Sequence, residues 1–194
     1  MTEYLTLINK PRIFYKSVEK ETYLETIKKT IIPTIFFAIV NTITSYYLFW
    51  NIYELFKQPR PSLSYSILIS LISLPLSVVV LSYLIQLSFK IMKVKAKFDQ
   101  TLKTQVYPLI FNLALLIIVE LVLFITPILM ARFIIYFLVT MAMGIWVASL
   151  SIIGLSELHK IKTGKATGAY FLSIGLLLAL LIVIGLIFVI FPIK

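Results

Sequence analysis

Long apolar stretches alternate with short charged segments along the chain. A helix needs about 20 apolar residues to cross roughly 30 Å of hydrocarbon, and five stretches reach that length. These stretches are 31–50, 63–89, 106–126, 128–154 and 168–192. Because helices satisfy their own backbone hydrogen bonds in lipid, the pattern predicts an all-α, polytopic membrane protein with a bundle of five transmembrane helices.

Prolines interrupt this pattern at two points. Pro127 separates the third and fourth spans, and it predicts a tight antiparallel hairpin because proline lacks the donor that a continuing helix needs. Pro75 lies near the middle of the second span. A kink is predicted there, since the apolar pattern resumes at once.

The first thirty residues differ from the rest, because charges are mixed there with Leu, Ile, Phe and Tyr. This pattern predicts one or two short amphipathic helices in the cytosol or at the membrane interface, broken at Pro11. No cleavable signal peptide is predicted, since this segment is charged throughout. The connections between spans are short, so we predict an N-terminal segment, 1–30, and one five-helix transmembrane domain, 31–194.

Composition excludes a soluble globule. Hydrophobic residues make up 60% of the chain and charged residues only 13%, with a mean hydropathy of +1.02. Such a chain has too little polar surface to solvate a compact fold of 194 residues. The sequence has no cysteine, which excludes disulfides, thiolate nucleophiles and cysteine-based metal sites.

Lysine and arginine are divided unequally between the two sides of the membrane. Fourteen lie on the side of the N-terminus: Lys10, Arg12, Lys16, Lys20, Lys28, Lys29, Lys90, Lys93, Lys95, Lys97, Lys103, Lys160, Lys162 and Lys165. Four lie on the other: Lys57, Arg60, Arg132 and Lys194. Short basic loops are retained in the cytoplasm. The distribution therefore predicts a multi-pass protein of the cell membrane with a cytoplasmic N-terminus and an external C-terminus.

Few charged or amide side chains fall within the spans, and such residues are the default functional candidates in a membrane protein. Glu120 is the main one. We favour a structural hydrogen bond facing the bundle interior. The alternatives are an ion pair with Arg132 across the Pro127 hairpin and a proton-linked transport site. Three further residues are interpreted as interhelical hydrogen-bonding groups: Asn41, Gln86 and Asn112.

The segment KIMKVKAKF at 90–98 combines lysines with apolar residues. Ile91, Met92, Val94 and Phe98 are predicted to sink into the membrane interface while the lysines face headgroups. The alternative is that the lysines serve topology only. The candidates for contact with anionic headgroups are Lys90, Lys93, Lys95, Lys97, Lys160, Lys162 and Lys165. No nucleic-acid partner is predicted, because the charge is divided among several loops.

Small residues recur on single faces of several spans. Examples are Thr140, Gly144, Ala148 and Ser151 in the fourth span, and Gly168, Gly175 and Ala179 in the fifth. Such faces allow close approach of helix backbones. We expect them to hold one bundle together, and the alternatives are a homodimer seam or a conduit.

No pattern typical of an enzyme is present, such as GxSxG, HExxH or paired carboxylates. The stretch TGKATG at 163–168 lacks the earlier glycine of a phosphate loop and has Ala166 in place of Ser or Thr. His159, the single histidine, is predicted to be solvated. We therefore predict no enzymatic activity and no cofactor.

Three segments together resemble a known family. They are NKPRIFYKSV at 9–18, FDQTLKTQVYPLI at 98–110, and Trp146 followed by GLSELHKIKTGKA at 154–166. Their order and spacing are similar to those of the Yip family of Ypt/Rab-interacting membrane proteins, in particular its prokaryotic branch. The matching residues are Phe98, Tyr107, Pro108, Trp146, Gly154, Gly164, Lys165 and Ala166.

The resemblance implies a non-enzymatic, five-span membrane protein. Eukaryotic members act in vesicle transport between endoplasmic reticulum and Golgi and bind Rab GTPases and one another. The acidic aromatic-Gly-Pro motif of those members is absent here, so the resemblance does not extend to Rab binding. We predict a membrane-organising or trafficking-type scaffold whose partners are anionic lipids, a second copy or another membrane protein. The alternative is a small transporter or channel that uses Glu120.

Overall fold

The structure is a computed structural model that describes residues 2–49, 59–125 and 129–190. These residues form helices and no strands, which confirms the all-α prediction. The helices are α1 (Thr2–Asn9), α2 (Pro11–Val18), α3 (Tyr23–Leu48), α4 (Leu63–Ile91), α5 (Phe98–Phe124), α6 (Leu129–Leu158) and α7 (Thr163–Ile190). Helices α3 to α7 are long and apolar enough to cross a membrane, so the five predicted spans are confirmed.

Three spanning helices begin earlier than their apolar stretches predict. Helix α3 begins at Tyr23 rather than at 31, α5 at Phe98 rather than at 106, and α7 at Thr163 rather than at 168. The first turn of α3 is polar but capped, because the Thr22 hydroxyl accepts from the Glu25 amide and the Glu25 carboxylate accepts from the Thr22 amide. Polar residues at these helix starts are therefore part of the helix rather than of a loop.

The prolines have different outcomes. Pro11 is the first residue of α2, so the predicted break between two N-terminal helices lies where it was expected. Helices α4 and α5 continue through Pro75 and Pro108. Pro127, and with it the predicted hairpin tip, lies outside the described residues.

Helix α5 packs against three others, α3, α4 and α6, while α7 packs against α4 and α6. The short helices α1 and α2 contact each other, and α2 lies against α6. Two turns lie at the end of the bundle where α2 is attached, 92–97 between α4 and α5 and 159–162 between α6 and α7. We call this end of the bundle the basic end.

Two clusters of buried apolar residues form the core near the basic end. The first joins the N-terminal helices to the bundle and contains Leu7, Phe14, Tyr15, Val18, Tyr107, Leu150 and Leu158. The second lies under both turns and contains Ile85, Phe89, Leu155, Ala166, Ala169 and Tyr170. Further apolar side chains are buried between the spans, among them Ile110, Leu113 and Leu123, while many others are exposed, as expected for surfaces that face lipid.

Candidate functional site

Glu120 is fully buried between α5 and α3. Its Oε1 accepts hydrogen bonds from Asn41 Nδ2, at 3.3 Å, and from Ser45 Oγ, while its Oε2 accepts one from Thr44 Oγ1. The three donors share one face of α3, because Thr44 and Ser45 follow Asn41 by three and four residues. A carboxyl group at membrane depth needs such partners, so this arrangement joins α5 to α3.

Arg132 makes a different contact. Its Nη2 donates to the Phe124 carbonyl at 3.3 Å. The three described partners of Glu120 all belong to α3, and Arg132 is not among them. The described contacts therefore do not include the ion pair considered from the sequence.

The other intramembrane amides differ from one another. Gln86 Nε2 donates to Thr101 Oγ1 at 2.7 Å and thereby joins α4 to α5 near the basic end. The Oδ1 atom of Asn112 is buried and has no hydrogen-bond partner within the described part of the chain. Within the described residues, the Asn112 oxygen thus does not make the interhelical bond predicted for this side chain.

Lys103 is fully buried, although the sequence places it among the lysines of a basic loop. Its Nζ donates to three main-chain carbonyls, those of Val18 (2.9 Å) and Glu19 (3.3 Å) at the end of α2 and that of Glu21 (2.6 Å) in the link to α3. The last carbonyls of a helix lack intrahelical partners and carry partial negative charge. The ammonium group satisfies these carbonyls and fixes α2 to the start of α5.

Glu21 links the N-terminal segment to two spanning helices. Its Oε2 accepts a hydrogen bond from Tyr107 Oη at 2.6 Å, and its Oε1 pairs with Lys29 Nζ at 2.5 Å. The Tyr107 ring packs edge to face against Phe14, with ring centroids 5.0 Å apart. The tyrosine of the 98–110 segment therefore holds the N-terminal segment by both a polar and an aromatic contact.

Tyr15 fills the space above a glycine of α6. The ring is fully buried, and a Cβ atom on Gly154 would lie 2.5 Å from Tyr15 Cζ. Glycine is therefore required at this position for α2 to lie as close to α6 as it does. Burial also raises the pKa of the Tyr15 phenol, which remains neutral.

Two salt bridges connect the N-terminal helices to the end of α6. Arg12 Nε lies 3.4 Å from Glu157 Oε1, and Lys160 Nζ lies 2.9 Å from Glu19 Oε1. The hydrogen bond from Lys160 holds the pKa of the Glu19 carboxyl below its usual value. Because Arg12 and Lys160 are largely exposed, these pairs add little stability beside the buried contacts of Tyr15 and Lys103.

The two turns at the basic end begin in the same way. A lysine with positive φ follows each helix, Lys93 at 55° and Lys160 at 53°. The next amide bonds back to the last helical turn, Val94 N to the Phe89 carbonyl at 2.8 Å and Ile161 N to the Ser156 carbonyl at 3.0 Å. These bonds satisfy helix-terminal carbonyls and fix the backbone of both turns.

Side chains alternate along the first turn. Met92, Val94 and Ala96 are partly buried against the second cluster, whereas Lys93, Lys95 and Lys97 are exposed. The prediction that Met92 and Val94 enter the membrane interface is therefore corrected, because both side chains pack against the second cluster inside the protein. Ile91 and Phe98 remain exposed. The exposed lysines thus extend from a backbone that is fixed by the packing of Met92, Val94 and Ala96. Lys90, Lys162 and Lys165 are exposed as well.

His159 is half-buried rather than solvated as predicted. Its Nε2 lies 3.0 Å from Thr101 Oγ1, the same hydroxyl that accepts from Gln86. The ring packs edge to face against Phe89, with centroids 5.1 Å apart. Burial lowers the pKa of His159 to about 4, so the ring is neutral at pH 7.

The residues that carry the family resemblance are concentrated in these contacts. Buried or half-buried are Tyr107, Pro108, Trp146, Gly154 and Ala166. Trp146 packs edge to face against Phe111, with centroids 5.0 Å apart. Exposed are Phe98, Gly164 and Lys165, and a Cβ atom on Gly164 would meet nothing within 4 Å. Most of the motif therefore serves the packing of the basic end.

The Yip1 domain family matches residues 6–187 of the chain. This range begins within α1 and ends within α7, so it includes the docked N-terminal helices and nearly all of the five spans. No curated protein and no solved structure matches the chain. Among the described residues, no group of His, Asp and Glu side chains could hold a metal ion. With its match along almost the whole length and five apolar helices, the chain belongs to the Yip1 domain family.

Proposed function

We propose that this protein is a non-enzymatic scaffold that organises the cytoplasmic leaflet of its membrane. In this proposal the basic end faces the cytoplasm, and its lysines gather anionic lipids. The spanning helices contact a second copy or other membrane proteins.

The observation that supports this proposal most is the set of exposed lysines on the ordered first turn. Val94 and Ala96 pack against the core, while Lys93, Lys95 and Lys97, which alternate with them along the chain, are exposed. Each lysine near an anionic membrane surface contributes about 1 kcal/mol of attraction. A backbone that is already ordered loses little entropy when lipid binds.

Open helix faces support contacts with neighbouring membrane proteins. A Cβ atom on Gly144 or on Gly175 would meet nothing within 4 Å, so these parts of the small-residue faces are not used inside the bundle. Small residues allow close helix approach in lipid. These faces are available to a second copy or to another membrane protein.

The surroundings of Glu120 favour the scaffold over the transporter. Both carboxyl oxygens are already engaged by side chains of α3, and the residue is fully buried. A transport site instead needs its carboxyl group exposed to a water-filled path in at least one state. The arrangement supports a structural role for Glu120.

Replacement of Lys93, Lys95 and Lys97 by glutamine tests the proposal. In proteoliposomes, we expect the enrichment of anionic over zwitterionic lipid around the protein, measured by energy transfer to labelled lipid, to fall at least about tenfold, since three lysines at about 1 kcal/mol each contribute up to about 3 kcal/mol. The matched control is replacement of the same residues by arginine, which keeps the charge and should keep the enrichment. Equal enrichment in wild type and in the glutamine variant would leave these lysines with a topological role only.

A further inference from the structure

A cleft of about 420 Å³ lies where the end of α4 meets the first turn. Its walls include Tyr83, Gln86, Leu87 and Lys90 from α4 and Lys95 from the turn. The Gln86 amide is held by Thr101, and Lys95 is held between the packed residues Val94 and Ala96. Two walls of the cleft are thus ordered by contacts within the protein.

The cleft changes from apolar to basic along α4. Tyr83, Leu87 and Lys90 are spaced four and three residues apart, so they lie on one face of the helix. From Tyr83 to Lys90 the distance along the axis is about 10 Å, at about 1.5 Å per residue. Tyr83 and Leu87 are exposed at 65% and 37%, and both belong to a helix that is long and apolar enough to cross a membrane. An amphiphile would meet lysines at one end and apolar side chains at the other.

Charge distinguishes this cleft from its neighbour. The neighbouring cleft, of about 340 Å³, is lined by Lys95, Lys97 and Lys160 but also by the carboxylate of Glu19, which is paired with Lys160. The first cleft is lined by Lys90 and Lys95 and, among the described residues, by no carboxylate. It is therefore the better site for an anion.

We propose that this cleft binds one anionic phospholipid, with its phosphate between Lys90 and Lys95 and an acyl chain along Leu87 and Tyr83. The inference rests on the proposed function and adds to it a defined lipid site in place of a diffuse basic surface. A basic pocket beside a spanning helix at the cytoplasmic side is a recurrent way of binding lipid headgroups. Tyrosine at the level below the phosphate is typical of the membrane interface.

The test compares two double variants with the same change in net charge. Lys90→Gln with Lys95→Gln removes both lysines of the cleft, whereas Lys93→Gln with Lys97→Gln removes two exposed lysines that do not line it. Each protein is purified in detergent, its thermal stability is checked, and binding of phosphatidylglycerol is measured by native mass spectrometry. We expect the cleft variant to bind at least about tenfold more weakly and the control variant less than about threefold more weakly.

Three other outcomes would overturn the site. Equal weakening in both variants means diffuse attraction by the basic end, which leaves the proposed function standing. Unchanged binding in both variants contradicts the site and the proposed function together. Displacement of the phospholipid by millimolar inorganic phosphate means a small-anion site without an acyl-chain contact. Leu87→Asn provides a second check, because it should weaken lipid binding while both lysines are kept.

Discussion

At the scale of single residues, the protein places two polar side chains where burial determines their chemistry. Glu120 joins two spans through three donors of α3. His159 lies where α4, α5 and the second turn meet, between Phe89 and Thr101. Both side chains are held by partners distant in sequence, so replacing either one should change the stability of the protein.

Glu120→Gln should keep the fold, because glutamine preserves shape and can still bond with hydroxyl groups. Glu120→Leu should cost about 2 kcal/mol, since it leaves three donors of α3 without their acceptor and such bonds in lipid average about 0.6 kcal/mol each. The measurement is thermal stability in detergent. A leucine variant as stable as the glutamine variant would contradict the structural role.

A double-mutant cycle identifies the partner of Glu120. Coupling with Thr44→Val should exceed coupling with Arg132→Gln, because Thr44 Oγ1 donates to the carboxyl group, whereas the described bond of Arg132 goes to the Phe124 carbonyl. Coupling to Arg132 well above about 1 kcal/mol would instead favour the ion pair.

The buried His159 predicts a loss of stability in mild acid. Because its pKa is about 4 in the folded protein, below the usual 6.5, the unfolded state binds more protons between these values. Stability should therefore fall as the pH is lowered through this window. We expect about 1 kcal/mol between pH 7 and pH 5, after allowance for partial exposure of the ring. The His159→Gln variant should lose about 1 kcal/mol less stability than wild type between pH 7 and pH 5, as measured by thermal melts at the two pH values. The same pH dependence in both proteins would contradict this role of His159.

At the scale of elements, helix α2 is attached to the bundle by complementary shape and by helix-end electrostatics. Tyr15 needs the open space above Gly154, and the carbonyls of Val18 and Glu19 at the end of α2 need Lys103. Without both, a helix of eight residues would not be stable in water. The order of the N-terminal segment therefore depends on α5 and α6.

Gly154→Ala should release α2, because the new methyl group would overlap the Tyr15 ring. Overpacking of this kind costs about 1–3 kcal/mol. The readout is thiol labelling of Val18→Cys, a buried position in a chain that has no other cysteine. Labelling should become faster in the Gly154→Ala background. Gly144→Ala is the matched control, since its methyl group would meet open space and should leave the rate unchanged.

At the scale of the whole molecule, the unequal distribution of lysine and arginine predicts that the basic end is cytoplasmic and the C-terminus external. Reporter fusions at the N-terminus and at the C-terminus test this topology. The reporters are a phosphatase, which is active only outside the cytoplasm, and a fluorescent protein, which matures inside it. The C-terminal phosphatase fusion should be active and the N-terminal one inactive. A C-terminal fusion active only in the cytoplasm would contradict five crossings.

The sequence by itself determined the class of the protein, the number of spans and the family. These properties depend on the length and polarity of local stretches and on the order of three segments, all of which can be read along the chain. The break at Pro11 is of the same kind, because proline acts on its own helix. Helices α3, α5 and α7 begin several residues before their apolar stretches. Hydropathy alone does not predict these starts, because the first turns of the helices are polar.

Only the tertiary structure decided what the polar residues do. Glu120 meets Asn41 across 79 residues of chain, and Lys103 meets the Val18 carbonyl across 85. Lys103, which the sequence assigns to a basic loop, is buried and bonds the carbonyls at the end of α2. His159, predicted to be solvated, is a neutral ring packed inside the protein. A buried polar group must find a partner wherever the fold supplies one, and nothing local in the sequence specifies which helix supplies it.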